Sequence, residues 1–390
     1  AGPTPVSALL HSATMVAAGV FLLARFAPLF AATPNVAAAT AAAGVLTALY
    51  GAVTAVGQTD VKRLLAYSSI SQIGFMILAL GMGAPAVAMT HFVVHAAFKS
   101  LLFLSAGEMT RAVGGATRIE ALRGSVLRRP LAFWAYAAGA ASLAGLPIVT
   151  AGWFSKEAIL GVAYMQGAFG QALWALGVTA AVFTGAYAFR PVIAMATPAG
   201  DRRPRFGDPA AWGPLAALAA ACLLGAPAVE PITVFLGGHP AHPDPIVELA
   251  GAGAVVAGAL IALALTIWPG LLAALWGRKR LGGGLRLDAR YHVLFVRPFR
   301  RAVGAVADGR FGEDPVGRLP VEIARRVSSA AIGAVAADRI DLFWTGFGRG
   351  LAAAWSRARA LQSGRARDYA LALALGAAAL LLLAWGSSWA

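Results

Sequence analysis

Three basic side chains recur at intervals of four residues in the apolar stretch "HFVVHAAFKSLLFL": His91, His95 and Lys99. On an α-helix this spacing places them in one stripe, which drifts by only ~40° from one member to the next. Ionisable groups inside a membrane are costly unless they face water or polar partners. We therefore expect this stripe, the basic row, to line a polar path through the protein.

The residue types of the basic row suit proton transfer. Histidine titrates near neutrality, and desolvation of a lysine ammonium favours the release of its proton. We expect Lys99 to store a proton and His91 and His95 to relay it. In one alternative, the three side chains only hold neighbouring helices together by hydrogen bonds. In another, the two histidines bind Zn²⁺, although no acidic or thiol ligand lies between them.

A second candidate site follows the stretch 145–152, "GLPIVTAG", which interrupts an apolar run just before Lys156. Backbone freed from helical pairing inside a membrane is tolerated only where protein or water satisfies it. A cationic side chain beside such a break is a candidate ion site, and Glu157 can compensate its charge. The alternative is a glycine–proline hinge beside a lysine that extends to the membrane surface.

Four further polar residues lie in or beside apolar runs. His11 is a candidate relay residue in the first run, where the alternative is an interhelical hydrogen bond. Asp60 and Lys62 open another run, and we expect them to anchor it to lipid headgroups or to guard a cytoplasmic entrance. Glu108 lies near the basic end of the helix that carries Lys99, where an interfacial position is expected.

The elements that position these residues are membrane-spanning helices. Of the 390 residues, 59% are hydrophobic and 13% are charged, and the mean hydropathy is +0.71. Crossing the hydrocarbon layer takes about 20 apolar residues. The apolar runs lie near 6–23, 36–56, 64–80, 87–104, 131–147, 154–165, 172–193, 210–228, 247–268 and 369–385. We predict an all-α, polytopic transmembrane bundle in which runs 131–147 and 154–165 form one broken helix.

The net charge of +15 is unevenly distributed. Basic clusters lie at 60–63, 111–129 and 200–205, and most of the excess lies within 278–368. With one broken helix as above, all these clusters fall on one side of the membrane, as the positive-inside tendency requires. Region 278–368 contains amphipathic helical patterns that predict helices along the membrane. The alternative is a generic basic segment attracted to anionic lipid.

Two classes of function are disfavoured by the sequence. The single cysteine, Cys222, excludes a disulfide framework and a cysteine-ligated iron–sulfur cluster. Nucleic-acid binding is not expected, because the basic segments adjoin membrane spans and leave no room for a recognition fold.

Four stretches together resemble a known family: "AGPTPVSALLHSATMVAAGVFLLAR", "QTDVKRLLAYSSISQIGFM", "HFVVHAAFKSLLFLSAGEM" and "AGWFSKEAIL". They look like the proton-conducting antiporter-like subunits of respiratory complex I and of Mrp-type cation/proton antiporters. A fifth stretch, "LDARYHVLFVRPF", resembles the segment that leads into the lateral helix of the distal, L-type complex I subunit.

The resemblance implies the following organisation. Residues 1–35 hold a helix at the end of a first half-channel, whose remainder is expected to precede residue 1. Residues 36–197 form a five-helix repeat, the second half-channel, and 198–277 hold two more transmembrane helices. Residues 278–368 form the lateral amphipathic region, and 369–390 form a terminal transmembrane anchor.

The resemblance also implies roles for single residues. Lys99 is the central lysine of the second half-channel and Lys156 is its terminal lysine. His91 and His95 link the two lysines, and His11 bridges toward the first half-channel. Glu157 stands where relatives often carry aspartate, and it is expected, with Asp60, Lys62 and Glu108, at the entry or exit of the path.

By the same resemblance, the chain contributes proton transport to a bacterial inner-membrane NADH:quinone oxidoreductase and holds no cofactor or metal itself. NADH, FMN, iron–sulfur clusters and quinone are expected in partner subunits, and the contacts are with other membrane-arm subunits and lipid. The alternatives are a subunit of an Mrp-type Na⁺/H⁺ antiporter, of a membrane-bound hydrogenase or of an inorganic-carbon uptake pump. A structural clamp of the membrane arm is a further alternative.

Overall fold

The structure is a computed structural model that describes residues 17–197, 207, 209–239, 244–268, 270 and 292–301. Within these residues the regular elements are helices, and the predicted all-α class is confirmed. Residues up to 270 belong to one compact unit, and 292–301 belong to another. His11, most of region 278–368 and the predicted anchor 369–390 lie outside the described residues.

The helices of the first unit begin with two short ones, α1 and α2. They are α1 Ala17–Arg25, α2 Ala27–Ala32, α3 Pro34–Val56, α4 Val61–Gly81, α5 Pro85–Ala112, α6 Ser125–Arg128, α7 Pro130–Ala144, α8 Ala151–Tyr164, α9 Gly167–Ala196, α10 Trp212–Leu224, α11 Ala226–Phe235 and α12 Pro245–Ile267. Single 3₁₀ turns occupy Ile119–Leu122 and Pro209–Ala211. In the second unit, His292–Val296 form one π-helical turn.

Five of the described helices are long and apolar enough to cross a membrane: α3, α4, α5, α9 and α12. Their limits follow the apolar runs, and proline opens α3, α5 and α12. Proline suits the first turn of a helix, because the N–H that it lacks has no partner inside the helix there. Crossing helices built from apolar runs confirm a polytopic membrane protein.

The turn between α3 and α4 lies against the loop that follows α5. The Asp60 carboxylate caps α4 by accepting the backbone N–H groups of Lys62 (2.9 Å) and Arg63 (3.0 Å). Its other oxygen accepts the Thr117 hydroxyl from the loop. Basic clusters 60–63 and 111–129 therefore share one end of the bundle, as predicted, and we call it the basic end.

The other end of the bundle, the opposite end, contains the turns after α4 and α8. The Gln166 side chain donates to the Met82 carbonyl across 2.6 Å. Because α7 begins just after Arg129 at the basic end and α8 ends just before Gln166, the two helices together pass once through the bundle. This arrangement agrees with the predicted single broken crossing.

A second break differs from the sequence prediction. Run 210–228 was expected to form a continuous span, but α10 and α11 meet at Gly225 with a bend of 79°. Pro227, in the first turn of α11, cannot continue the hydrogen bonding of α10 and disfavours a straight helix. A Cβ on Gly225 would lie 3.6 Å from the Ala151 side chain, so the second break packs against the start of α8.

Glycines set the close approach of α3 and α4. A Cβ at Gly44 or Gly51 would overlap the α4 backbone, and one at Gly74 or Gly81 would overlap the α3 backbone. Small residues at helix contacts permit this approach in membrane proteins, where packing rather than the hydrophobic effect holds helices together. The contact fixes α4, which carries several hydrogen-bond partners of the site.

Candidate functional site

Lys99 lies halfway along α5, about 20 Å from either end of this helix at 1.5 Å per residue. Its side chain is fully buried. The Nζ donates to the Leu65 carbonyl of α4 (2.7 Å) and to the Ser68 hydroxyl. Helix α4 thus supplies the oxygen atoms that an ammonium group needs inside a membrane.

His91 connects three helices through both ring nitrogens. Its Nδ1 lies 2.9 Å from the Ser155 Oγ on α8, and its Nε2 lies 3.1 Å from the Gln72 Oε1 on α4. The Gln72 amide in turn donates to the Tyr187 hydroxyl on α9 (3.4 Å). In a neutral imidazole, donation from Nε2 to Gln72 leaves Nδ1 to accept the Ser155 hydroxyl.

His95 occupies the turn of α5 between His91 and Lys99 and is buried. Its ring meets the Phe98 ring edge to face, with centroids 5.2 Å apart, and its centroid lies 6.5 Å from that of His91. The structure therefore brings the three predicted members of the basic row together on one buried face of α5.

Lys156 sits at the break between α7 and α8. Its Nζ donates to the carbonyls of Leu143 (2.7 Å) and Ala144 (3.1 Å), in the last turn of α7. Such terminal carbonyls have no partner within the helix, and the helix dipole makes this end negative, so it stabilises a cation. Gly145 ends α7 with φ of 79°, a left-handed value that suits glycine.

The start of α8 is held close to α7 on the other side of the break. The Gly152 N–H donates to the Ser142 Oγ (3.3 Å), and a Cβ at Gly152 would overlap the Ser142 carbonyl. Thr150 caps α8 by accepting the Trp153 N–H (3.3 Å). The predicted interruption at 145–152 is therefore an ordered break that points Lys156 at the end of α7.

Glu157 faces a different helix from Lys156, since consecutive residues on a helix are separated by ~100°. Its carboxylate lies against Gly251 of α12, and the side chain is 2% exposed. Among the described residues, the Oε2 atom has no hydrogen-bond partner. The Glu157 carboxylate therefore contacts α12, and among the described residues it forms no ion pair with Lys156.

The other predicted residues lie at the basic end. Asp60 caps α4, as above, and Lys62 is half-buried in the first turn of that helix. Glu108 is buried, pairs with Arg111 one turn later, and lies about 14 Å along α5 from Lys99 at 1.5 Å per residue. The structure does not bring these three side chains into contact with the basic row.

Sequence reasoning missed the polar partners of the row: Ser68, Gln72, Ser155 and Tyr187. Ser68 and Gln72 are four residues apart in an apolar run, the same spacing that singled out the basic row. Ser155 directly precedes Lys156. The spacing was therefore a usable signal for α4, whereas nothing in the sequence links Tyr187 to the site.

These features define a polytopic α-helical membrane protein with buried basic side chains that run from mid-membrane to a helix break. Residues 1–184 match the family described as NADH:quinone oxidoreductase/Mrp antiporter, TM. Residues 1–184 therefore carry the features of this antiporter-like family, and the curated relatives include L subunits, which confirms the resemblance predicted from the motifs.

Two curated relatives and one solved structure illustrate the match. NADH-quinone oxidoreductase subunit L of Pseudomonas aeruginosa is 35% identical over 340 residues, which cover 82% of this chain and 53% of that protein. Subunit L of Escherichia coli is 45% identical over 192 residues, or 49% of this chain and 31% of that protein. The Mrp complex structure from Dietzia sp. DQ12-45-1b matches with a TM-score of 0.62 at 30% identity, covering 85% of this chain and 38% of that one. The chain thus spans about half or less of the length of these relatives.

Proposed function

We propose that the chain carries protons through a membrane as an L-type antiporter-like subunit, along a relay of Lys99, His95, His91 and Lys156. The observation that carries the proposal is the contact between His91 and Ser155. It joins the end of the basic row on α5 to the residue that precedes Lys156 on α8. Ser155 thereby bridges the two sites that the sequence singled out separately.

Each group in this relay can both hold and release a proton. The oxygens of Leu65 and Ser68 stabilise the Lys99 ammonium, and the carbonyls of α7 stabilise that of Lys156. The imidazole rings of His91 and His95 lie between the two lysines, and an imidazole can both accept and donate a proton through its nitrogens. When His91 is protonated, both ring nitrogens donate, and the Ser155 hydroxyl can turn to the Gly152 carbonyl 3.4 Å away.

The side chains of the relay favour protons over sodium as the transported ion. Hard cations such as Na⁺ are bound by several oxygen ligands, whereas the relay presents ammonium and imidazole groups. In the described part of the chain, no group of three or more His, Cys, Asp and Glu residues could hold a metal ion. Similarity to an Mrp complex keeps a Na⁺/H⁺ antiporter as the alternative assembly.

The proposed assembly is a bacterial inner-membrane NADH:quinone oxidoreductase, in which other membrane-arm subunits contact this chain. Quinone reduction elsewhere in the assembly supplies the energy. NADH, FMN and iron–sulfur clusters belong to partner subunits in this proposal. A cysteine-ligated iron–sulfur cluster needs several thiolates, and Cys222 is the single cysteine of this chain.

The test replaces Lys99 or Lys156 by methionine in the complete assembly, reconstituted in vesicles. Proton translocation is followed with a pH-sensitive dye while electron transfer is followed by NADH oxidation. Both variants should lower the number of protons moved per electron. Arg63→Met, at an exposed position of the basic end, is the control and should leave this number unchanged. A wild-type proton yield in both lysine variants would refute the proposal.

A further inference from the structure

We infer that the proton leaves the protein through two carboxylates, that of Glu157 on α8, which lies against Gly251, and that of Glu248, three residues before Gly251 on α12. The inference rests on the proposed function, because it supplies the outlet for the proton that reaches Lys156. It adds an acidic residue of α12 to a path whose other residues and hydrogen-bond partners lie on α4, α5, α7 and α8.

The first observation is the placement of the Glu157 carboxylate. The side chain is 2% exposed, and within the described ranges its Oε2 atom has no hydrogen-bond partner. A buried carboxylate oxygen without a partner is costly, so the retention of Glu157 calls for a reason other than stability. Its contact with Gly251 directs it away from the basic row and toward α12.

The second observation is the space beside Gly251 of α12, the notch, which the Glu157 carboxylate fills. The ideal position of a Cβ at Gly251 overlaps Oε1 and lies 2.9 Å from Oε2. Any other residue at position 251 would therefore displace the carboxylate. By contrast, a Cβ at Gly253 of the same helix would have no atom within 4 Å. Glycine at position 251 thus leaves the space that the Glu157 carboxylate occupies.

The third observation is the position of Glu248. It precedes Gly251 by three residues, so the two lie on neighbouring positions of one face of α12, about 4.5 Å apart along the axis. Glu248 is exposed, and its charge acts on that of Glu157. The other charge that acts on Glu157 is Lys156.

Glu248 also lies at the opposite end of the bundle, where an outlet for the proton is needed. It is in the first turn of α12, which follows the segment around Gly238. A Cβ at Gly238 would lie 2.7 Å from the Ala86 side chain in the first turn of α5, at the opposite end. The path therefore begins at Lys99, halfway along α5, and ends at Glu248, at the opposite end.

The proton steps balance without any electron transfer. The Lys156 ammonium gives a proton, by way of water, to the Glu157 carboxylate on a neighbouring face of α8, which leaves a neutral amine and a neutral acid. The acid passes the proton to Glu248, which releases it to water at the opposite end. His91 then returns a proton to Lys156 by way of the Ser155 hydroxyl and of water between the Ser155 and Lys156 side chains.

The experiment uses the complete assembly in vesicles with two test variants, two matched controls and two reference variants, Lys99→Met and Glu248→Asp. Glu248→Gln removes the outlet group, and Gly251→Ala displaces the Glu157 carboxylate without changing any titratable residue. The matched controls are Glu120→Gln, an exposed glutamate at the basic end, and Gly253→Ala on the same helix. Protons moved per electron, the rate of NADH oxidation and the amount of assembled complex are measured for each.

We expect E248Q and G251A to lose as many protons per electron as Lys99→Met does, while both controls keep the wild-type value. Restoration by Glu248→Asp would identify the carboxylate as the necessary group. If Lys99→Met reduces the proton yield but E248Q and G251A both keep it, the outlet is overturned and the relay stands. If Lys99→Met has no effect either, the proposed function fails. Should one variant not assemble, the other still decides.

Discussion

The Nδ1 atom of His91 lies 2.9 Å from the Oγ atom of Ser155, although the two residues are 64 positions apart in the sequence. One belongs to a continuous helix and the other to the half-helix that follows a break. The contact joins the basic row of α5 to the site of Lys156. The Ser155 Oγ atom also lies 3.4 Å from the Gly152 carbonyl oxygen. Its hydroxyl can therefore donate either to the His91 Nδ1 atom or to this carbonyl.

Replacing Ser155 by alanine should interrupt the relay while the assembly still forms. The change removes the partner of the His91 Nδ1 atom, which costs about 1–3 kcal/mol for a buried polar group left unpaired. Protons per electron should fall in vesicles. Ser105→Ala is the control, because that buried hydroxyl bonds only within its own helix. Equal proton yields in the two variants would contradict a role for Ser155.

Replacing Lys99 by arginine should stop proton transfer as fully as methionine does. The guanidinium keeps the positive charge and the hydrogen bonds but does not release its proton under protein conditions. Proton translocation and NADH oxidation are measured together, with the exposed Arg63→Lys as the control. If the arginine variant translocates normally, Lys99 acts through its charge alone and not as a proton carrier.

Replacing Arg190 by methionine should shorten the lifetime of the folded assembly. The Arg190 side chain on α9 donates to the carbonyls of Val56 (2.5 Å) and Gln58 (3.1 Å) at the end of α3. Hydrogen bonds to charged groups contribute about 1.5–3 kcal/mol each. The half-life at elevated temperature is the measurement, because large membrane assemblies unfold irreversibly.

Arg118→Met is the matched control for Arg190, since its side chain is 73% exposed. Its half-life should equal that of the wild type. An unchanged half-life in the Arg190 variant would show that its two hydrogen bonds are replaced by water.

Replacing Gly74 by alanine should weaken the contact of α3 and α4. The added methyl group would lie 2.6 Å from the Gly44 carbonyl oxygen and overlap the Ala48 backbone. Overpacking of this kind costs about 1–3 kcal/mol. The amount of assembled protein in the membrane should fall. Gly19→Ala, with open space around the added group, should assemble normally.

Several features of the fold could be predicted from local patterns. The apolar runs predict α3, α4, α5, α9 and α12, because a helix in lipid needs about 20 apolar residues whatever surrounds it. The break before Lys156 follows from glycine and proline in an apolar run. The bend at Gly225 was missed, although Pro227 was visible, because proline is also common in unbroken membrane helices.

The sequence by itself determined the membrane class, the break and the shared face of His91, His95 and Lys99. All three depend on composition or on spacing within one helix, where the geometry is fixed by the backbone. Only the tertiary structure decided that Lys99 binds α4, that His91 contacts Ser155 and that Glu157 lies in a notch of α12. These contacts join residues on different helices, and the spacing of residues within one helix does not determine which helix packs against it.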